Sequence, residues 1–268
     1  MLFRSSDFRE MPDEFPMVEQ SQFVSTGYLL IDLSKTDLPT ADERVRCAIS
    51  KAIDRQEISD LVYAGIPTPA NGLFSPGQEG YLEDNGFDPA QDIEGAKALI
   101  ADYQAEHPGP ISITLGHIAD RSNAQLSELV KGYLAEIGIT LNVREVPIEE
   151  WLASLDASSD YGLNMMWYFS TLGDPAEIPS YLLGVGNPAA YDNPEIMSLL
   201  SEVGAESDPS ARIDLLIQAE TLQAEDAVNI PLWWGQSATA FANDLGMNDY
   251  SSFAFISSWP TQLYRAAQ

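Results

Sequence analysis

Between Ile111 and Val143 the chain writes out one complete strand–helix–strand unit. Ile111, Ile113 and Leu115 alternate with other residues, the period-two pattern of a strand with a buried face. Leu126, Leu129, Val130, Tyr133, Leu134 and Ile137 then recur at three- and four-residue spacing, which reads as an amphipathic helix. Gly138 stands where a helix C-terminus favours a residue with positive φ, and Ile139, Leu141 and Val143 alternate again. Two strands joined by a helix of this length run parallel, with a right-handed crossover. That confines the chain to α/β architectures. A short helix around Trp151 leads to the apolar run from Tyr161 to Phe169, which reads as a third strand of the same sheet. It ends in Trp167, Tyr168 and Phe169 beside a polar turn carrying Ser170, Thr171, Gly173, Asp174 and Pro175.

The flanks follow the same logic. Gly27 to Lys35 reads as a strand, and Thr40 with Glu43 fits a capping box. The helix it starts is expected to run through Val45, Ile49, Ala52, Ile53, Ile58 and Leu61 to a stop at Gly65. The segment from Gly65 to Tyr81 is dense in Pro and Gly and reads as a loop. Asp88-Pro89 and the periodic residues after Ile93 predict another helix. Asn193-Pro194 and Asp208-Pro209 each place a capping side chain before proline at the first helical position. Asn229 to Asp244 reads as a β segment, where Trp233 and Trp234 face opposite sides, and the tail as irregular with short strands.

The formal net charge of -28 comes from 41 Asp and Glu against 13 Lys and Arg. Such a surface repels polyanions, which excludes nucleic acid and anionic lipid as main partners. No apolar stretch is long enough to read as a membrane span. The first residues, MLFRSSDFREMPDEFPM, lack the apolar region of a signal peptide. Either the protein is cytoplasmic or the chain is part of a longer precursor. The lone Cys47 sits among apolar residues at helical spacing and reads as structural. His107 in a loop and His117 at a strand end read as incidental polar residues. No zinc, calcium, phosphate-loop or dinucleotide motif occurs, so no metal site, cofactor or catalytic residue is expected.

The segment DERVRCAISKAIDRQEISDLVYAGIPTPANGLFSPGQEGY resembles the signature of the extracellular solute-binding proteins of family 5, the peptide- and nickel-type receptors of ABC importers. Arg46, Ala48, Ile49, Ala52, Ile53, Asp54 and Arg55 match the helical part; Gly65, Pro69, Ala70 and Pro76 match the loop. The strand at Gly138 to Leu141, Trp151, the aromatic strand end with Asp174-Pro175, the segment Tyr191 to Glu195 and the strand at Ile230 to Leu232 follow in the family's order. The resemblance implies a type II periplasmic-binding-protein-like lobe, a mixed sheet flanked by helices, plus part of the adjoining lobe. Residues 46–228 would form the distal ligand-binding lobe, and 1–45 with 229–268 parts of the first lobe, whose remainder is missing. It also implies an extracytoplasmic protein that binds a solute without chemistry and delivers it to an importer permease.

The resemblance places the ligand between the lobes. Trp151 and Trp167 match tryptophans that line the cavity in peptide receptors of the family, where an Asp after the second Trp pairs with the peptide amine. Here that turn is one residue longer, Ser170 or Thr171 falls at the Asp position, and Asn164 replaces an Arg of oligopeptide receptors. Asp174 is the anchor from one position further on, or only the start of a turn. The candidate site is therefore Trp167, Trp151, Asp174, Tyr168, Ser170, Thr171, Asn164 and Asn71. The departures weaken a zwitterionic peptide as ligand, and aromatic walls with neutral hydrogen-bonding groups suit an oligosaccharide or another neutral solute; the solute expected is an oligopeptide or an oligosaccharide. Two other readings stand beside the receptor: a half-length chain that needs a partner half, and a hydrolase using Asp174 with a second carboxylate.

Overall fold

A single mixed sheet organises the chain, and its interior strands come from opposite ends of the sequence. The computed structural model describes residues 17–155, 161–169, 174–240, 245–247 and 263–265, and side chains within 25–155, 161–166 and 174–235. In chain order the elements are β1 (Met17–Ile31), α1 (Glu43–Ala52), α2 (Arg55–Tyr63), β2 (Thr68–Pro69), α3 (Ile93–Glu106), β3 (Ile111–Ile118), α4 (Arg121–Glu136) and β4 (Ile139–Val146). Then come α5 (Ile148–Ala153), β5 (Leu163–Phe169), α6 (Glu177–Leu183), α7 (Pro194–Ala205), α8 (Pro209–Asp226), β6 (Asn229–Ala240), β7 (Leu245–Met247) and β8 (Leu263–Arg265). Six strands form one sheet in the order β2-β6-β1-β5-β3-β4, and β7 pairs with β8 separately.

The crossover unit is as expected: β3 pairs parallel with β4 from Ile111–Ile139 to Ile118–Val146, and Gly138 takes φ 83°. β5 joins the other side of β3 in parallel at Leu115–Leu163 and Gly116–Asn164. β1 is antiparallel to both β5 and β6. Alternate strand residues feed two cores. Leu29, Ile31, Ile113, Leu115 and Met165 pack with helices α1 to α4. Tyr28, Leu30, Val146 and Met166 pack with α5 to α8 on the other face. Each such side chain buried completely contributes roughly 1.5–3 kcal/mol.

β1 and β6 are interior strands of this sheet, and Tyr28, Leu29, Leu30 and Ile31 are fully buried within it. Three expectations change. The single helix expected from Glu43 to Ala64 is two, because Asp54 accepts from the Glu57 N–H and starts α2 anew after Ile53 turns extended. The cap of α1 is Asp42, accepting from the Arg44 N–H, while Thr40 is buried in a preceding 3-10 turn. Asp92 rather than Asp88 caps α3. Cys47 is half-buried, with its thiol toward the Glu225 carbonyl at 3.7 Å.

The signature residues Arg46 and Arg55 are stitches between these elements. Arg46 Nε donates to the Asp226 carbonyl at 2.7 Å and Nη1 to the Ala41 carbonyl at 2.9 Å. Arg55, 1% exposed, donates to the carbonyls of Pro231, Ser50, Ile53 and Pro89 and lies 4.9 Å over the Phe87 ring. Both tie the first helices to the end of the chain.

Candidate functional site

The carboxyl ends of β3 and β5 form a step. The chain leaves β3 into α4, whose Leu126, Val130 and Leu134 pack on the first core. It leaves the neighbouring β5 toward α6, whose Ile178 and Leu182 pack on the second. Adjacent parallel strands whose connections depart to opposite faces open a ligand crevice at their carboxyl ends. β3 runs two residues past Gly116 and β5 five past Asn164, the residue paired with it. The difference of three residues makes a step of about 10 Å. At the top of that step Phe169 pairs with Ser25, and Ser25 with Gly235, so β5, β1 and β6 rise together.

α5 stands beside the step, directly after β4. Trp151 faces inward, 7% exposed, in the core with Val146 and Met166. Ile148 and Leu152, four residues apart, are 51% and 53% exposed on the opposite side, with Glu149 and Glu150 also exposed. Asn164 is buried beneath the helix end, where its Oδ1 accepts from Ser154 Oγ at 3.4 Å. It fixes α5 against the sheet.

Asp174 is engaged within the protein. Arg212 of α8 donates to both its oxygens at 2.9 and 3.0 Å, and Asp174 Oδ1 accepts from the Ala176 N–H at 2.8 Å. The Arg212 hydrogen bonds, then that N–H, hold its carboxyl below the usual carboxylate range. The pair is exposed, so Asp174→Asn is expected to cost no more than about 1 kcal/mol. The loss is present above the ordinary carboxyl pKa and vanishes in acid, as urea melts at pH 7 and pH 2.5 would show.

Asn71 lies elsewhere. Its Nδ2 donates to the Leu82 and Glu83 carbonyls, and its own carbonyl accepts from Asn85, closing the loop after β2. β2 and β4 are the two edges of the sheet, so this loop stands about 20 Å from α5 across the strands. The loop rests on Glu220 of α8, 4% exposed, which accepts from the Leu73 N–H at 2.6 Å. A Cβ on Gly72 would meet Glu220 Oε1 at 1.9 Å. Burial pushes the Glu220 carboxyl up to about 7 against the pull of the Leu73 and Phe74 N–H groups. Sequence reading passed over Glu220, although it interrupts the buried stripe of Leu216, Ala219 and Gln223.

Thus the structure gathers Trp151 and Asn164 under α5 and puts the backbone of Trp167 and Tyr168 on the step, paired with Gly27 and Thr26. Ser170 and Thr171 lie outside the described residues. Trp234 is buried and donates from Nε1 to the Gly72 carbonyl at 3.0 Å, while Trp233 is half-buried and packs edge-on with Tyr63. His117 is buried with Nδ1 at 2.9 Å from the Ile118 carbonyl, and His107 stacks on Tyr103.

Comparison with known proteins gives a consistent answer. The family profile described as "Bacterial extracellular solute-binding proteins, family 5 Middle" matches residues 5–189. A probable di/tripeptide-binding protein 5 of Pseudomonas aeruginosa is 28% identical over 260 residues, covering 88% of this chain and 47% of its own length. The oligopeptide-binding protein OppA of Bacillus subtilis is 25% identical over 211 residues, covering 73% of this chain and 38% of its own. The chain thus spans about half the length of the curated relatives it matches. In fold it is similar to the oligopeptide-binding protein AppA from Bacillus subtilis, solved with a nonapeptide. The TM-score is 0.82 at 19% identity, over 98% of this chain and 55% of that one. NikA from Staphylococcus aureus, solved with Ni(L-His)2, gives a TM-score of 0.75 at 21% identity, over 90% of this chain and 51% of that one.

Proposed function

The chain belongs to the bacterial extracellular solute-binding proteins of family 5, and from that premise we propose that it supplies one wall of a peptide-capturing cleft in a receptor serving a membrane importer. The observation that carries this reading is the step between the carboxyl ends of β3 and β5, with the exposed apolar pair Ile148 and Leu152 beside it. An apolar ridge flanked by Glu149 and Glu150 fits a short peptide: side chains on the ridge, the ammonium toward the carboxylates. Asp174 is less suited to that ammonium, since binding it would compete with Arg212. Relatives named for binding di- and tripeptides and oligopeptides support peptide over oligosaccharide.

In this reading the receptor closes a second lobe over the solute by a hinge and passes it to the permease outside the cytoplasm. β1 and β6 pair as far as Met17–Ala240, beyond register shifts around Phe23, and form the strands leading to that hinge. One wall alone binds weakly, because it removes only part of the ligand from water. Calorimetric titration with peptides of two to five residues and with oligosaccharides tests the reading. Saturable binding of peptides alone, without product, is expected. Binding confined to oligosaccharides, or cleavage of either, would overturn it.

A further inference from the structure

Helices α2 and α4 leave a groove between them, away from α5. Leu61, Val62, Ala124 and Leu129 line it, and its volume is about 440 Å³. Leu61 is 61% exposed, the most exposed leucine among the described residues. Arg121 and Glu128 border the same groove from α4, with Gln125 between them. They are seven residues apart, close to two turns or about 10 Å along one stripe of the helix.

Arg121 is the unusual member. It is the first residue of α4, where the helix's own dipole disfavours a cation. Lys35, Arg44, Lys51, Lys97, Lys131 and Arg212 each meet a carboxylate. Arg121 is exposed and has no ion pair among the described residues, in a chain with 41 acids. Glu128 is only lightly engaged, with Lys131 at 3.5 Å in an exposed pair. An acidic partner suits Arg121, a basic one suits Glu128, and the two charges lie symmetrically about the midpoint between Ala124 and Gln125.

We infer that this groove seats a second copy of the chain, with the two α4 helices packed antiparallel about a two-fold axis midway between Ala124 and Gln125. In an isologous contact, if residue i meets residue j then j meets i. The rotation sets Arg121 of each copy against Glu128 of the other and lays Leu61 and Leu129 of each copy along the other's groove. A few helical turns per side fall below the roughly 1,000 Å² of a tight interface. Each copy also carries a net charge of -28. Association is therefore weak, in the range of about 10 µM to 1 mM. It strengthens as salt screens the net repulsion, whose reach shrinks to about 8 Å at physiological ionic strength.

Sedimentation velocity of the full chain from about 10 to 500 µM, at physiological ionic strength, tests this. A concentration-dependent dimer is expected. Arg121→Glu and Glu128→Arg, both at exposed positions, should each weaken it at least about tenfold, by setting like charges opposite twice over. The double variant Arg121→Glu with Glu128→Arg should restore the dimer to within about threefold, because the swapped charges pair again. A wild-type chain monomeric throughout, single variants that dimerise normally, or a double variant without rescue would each overturn the assignment. The readout is independent of any peptide, so its failure leaves the cleft reading standing.

Discussion

Arg55→Met is expected to destabilise the chain by about 4 kcal/mol, the largest effect of any single substitution considered. The guanidinium is 1% exposed and is surrounded by the carbonyls of Pro231, Ser50, Ile53 and Pro89 and by Ser50 Oγ. Methionine fills much of the space but leaves those acceptors buried without donors, each costing roughly 1–3 kcal/mol before relaxation. Arg55→Lys should recover only part of the loss, since one ammonium cannot replace a five-donor fork reaching α1, β6 and the segment before α3 together. Urea melts monitored by far-UV circular dichroism would read both. A domain of this size holds only about 5–15 kcal/mol, so the midpoint should fall by a third or more. A loss below about 1 kcal/mol would mean that the stitch is dispensable.

Glu220→Gln should do the opposite, and only at high pH. The carboxyl is 4% exposed and its pKa is raised to about 7, first by burial. In the unfolded chain it titrates near the ordinary glutamate value, about 4.3. Below that value both states hold the proton and the group is neutral with respect to folding. As pH rises toward 7 the unfolded state ionises while the folded state keeps its proton, so stability falls; above 7 the full cost remains. At roughly 1.4 kcal/mol per unit over about 2.7 units, the cost is about 3.7 kcal/mol. The amide oxygen of glutamine can still accept from the Leu73 N–H, so the variant should match wild type near pH 4 and exceed it by about that amount near pH 8. Equal stability differences at both pH values would show that the Glu220 carboxyl titrates alike in the folded and unfolded chains, so that burial does not raise it.

These two residues also mark how far the sequence could be read. Elements bounded by their own chemistry were legible: Gly138 after α4, Asn193 and Asp208 before their prolines, and the alternation in β3 and β4. The crossover unit followed from them, and with it the fold class. Arg55 was legible as part of a family signature, but its role was not, because its partner Pro231 lies 176 residues away. The same distance problem hid the pairing of β1 with β6. It also hid Arg212, whose pair with Asp174 spans 38 residues and gives that carboxylate a partner. Thr40 lost its cap to Asp42 because both are favoured N-cap residue types and only the backbone geometry separates them.

Within the candidate site the aromatic run marked the carboxyl end of β5, but residue identity could not say which side of α5 faces out. Trp151 is the larger apolar residue and went to the core; Ile148 and Leu152 were left exposed. A six-residue helix offers too few turns for its buried face to be read from period alone.

The most direct measurement is amide chemical-shift mapping of the isotope-labelled chain during titration with short peptides, which reports contacts even at millimolar affinity. The account predicts saturable shifts at Ala119 and Asp120, Ile148 to Leu152 and the last residues of β5, all at the carboxyl ends of the parallel strands. Shifts confined to the Asn71–Asn85 loop at the opposite edge of the sheet, or none up to peptide saturation, would contradict the placement of the cleft.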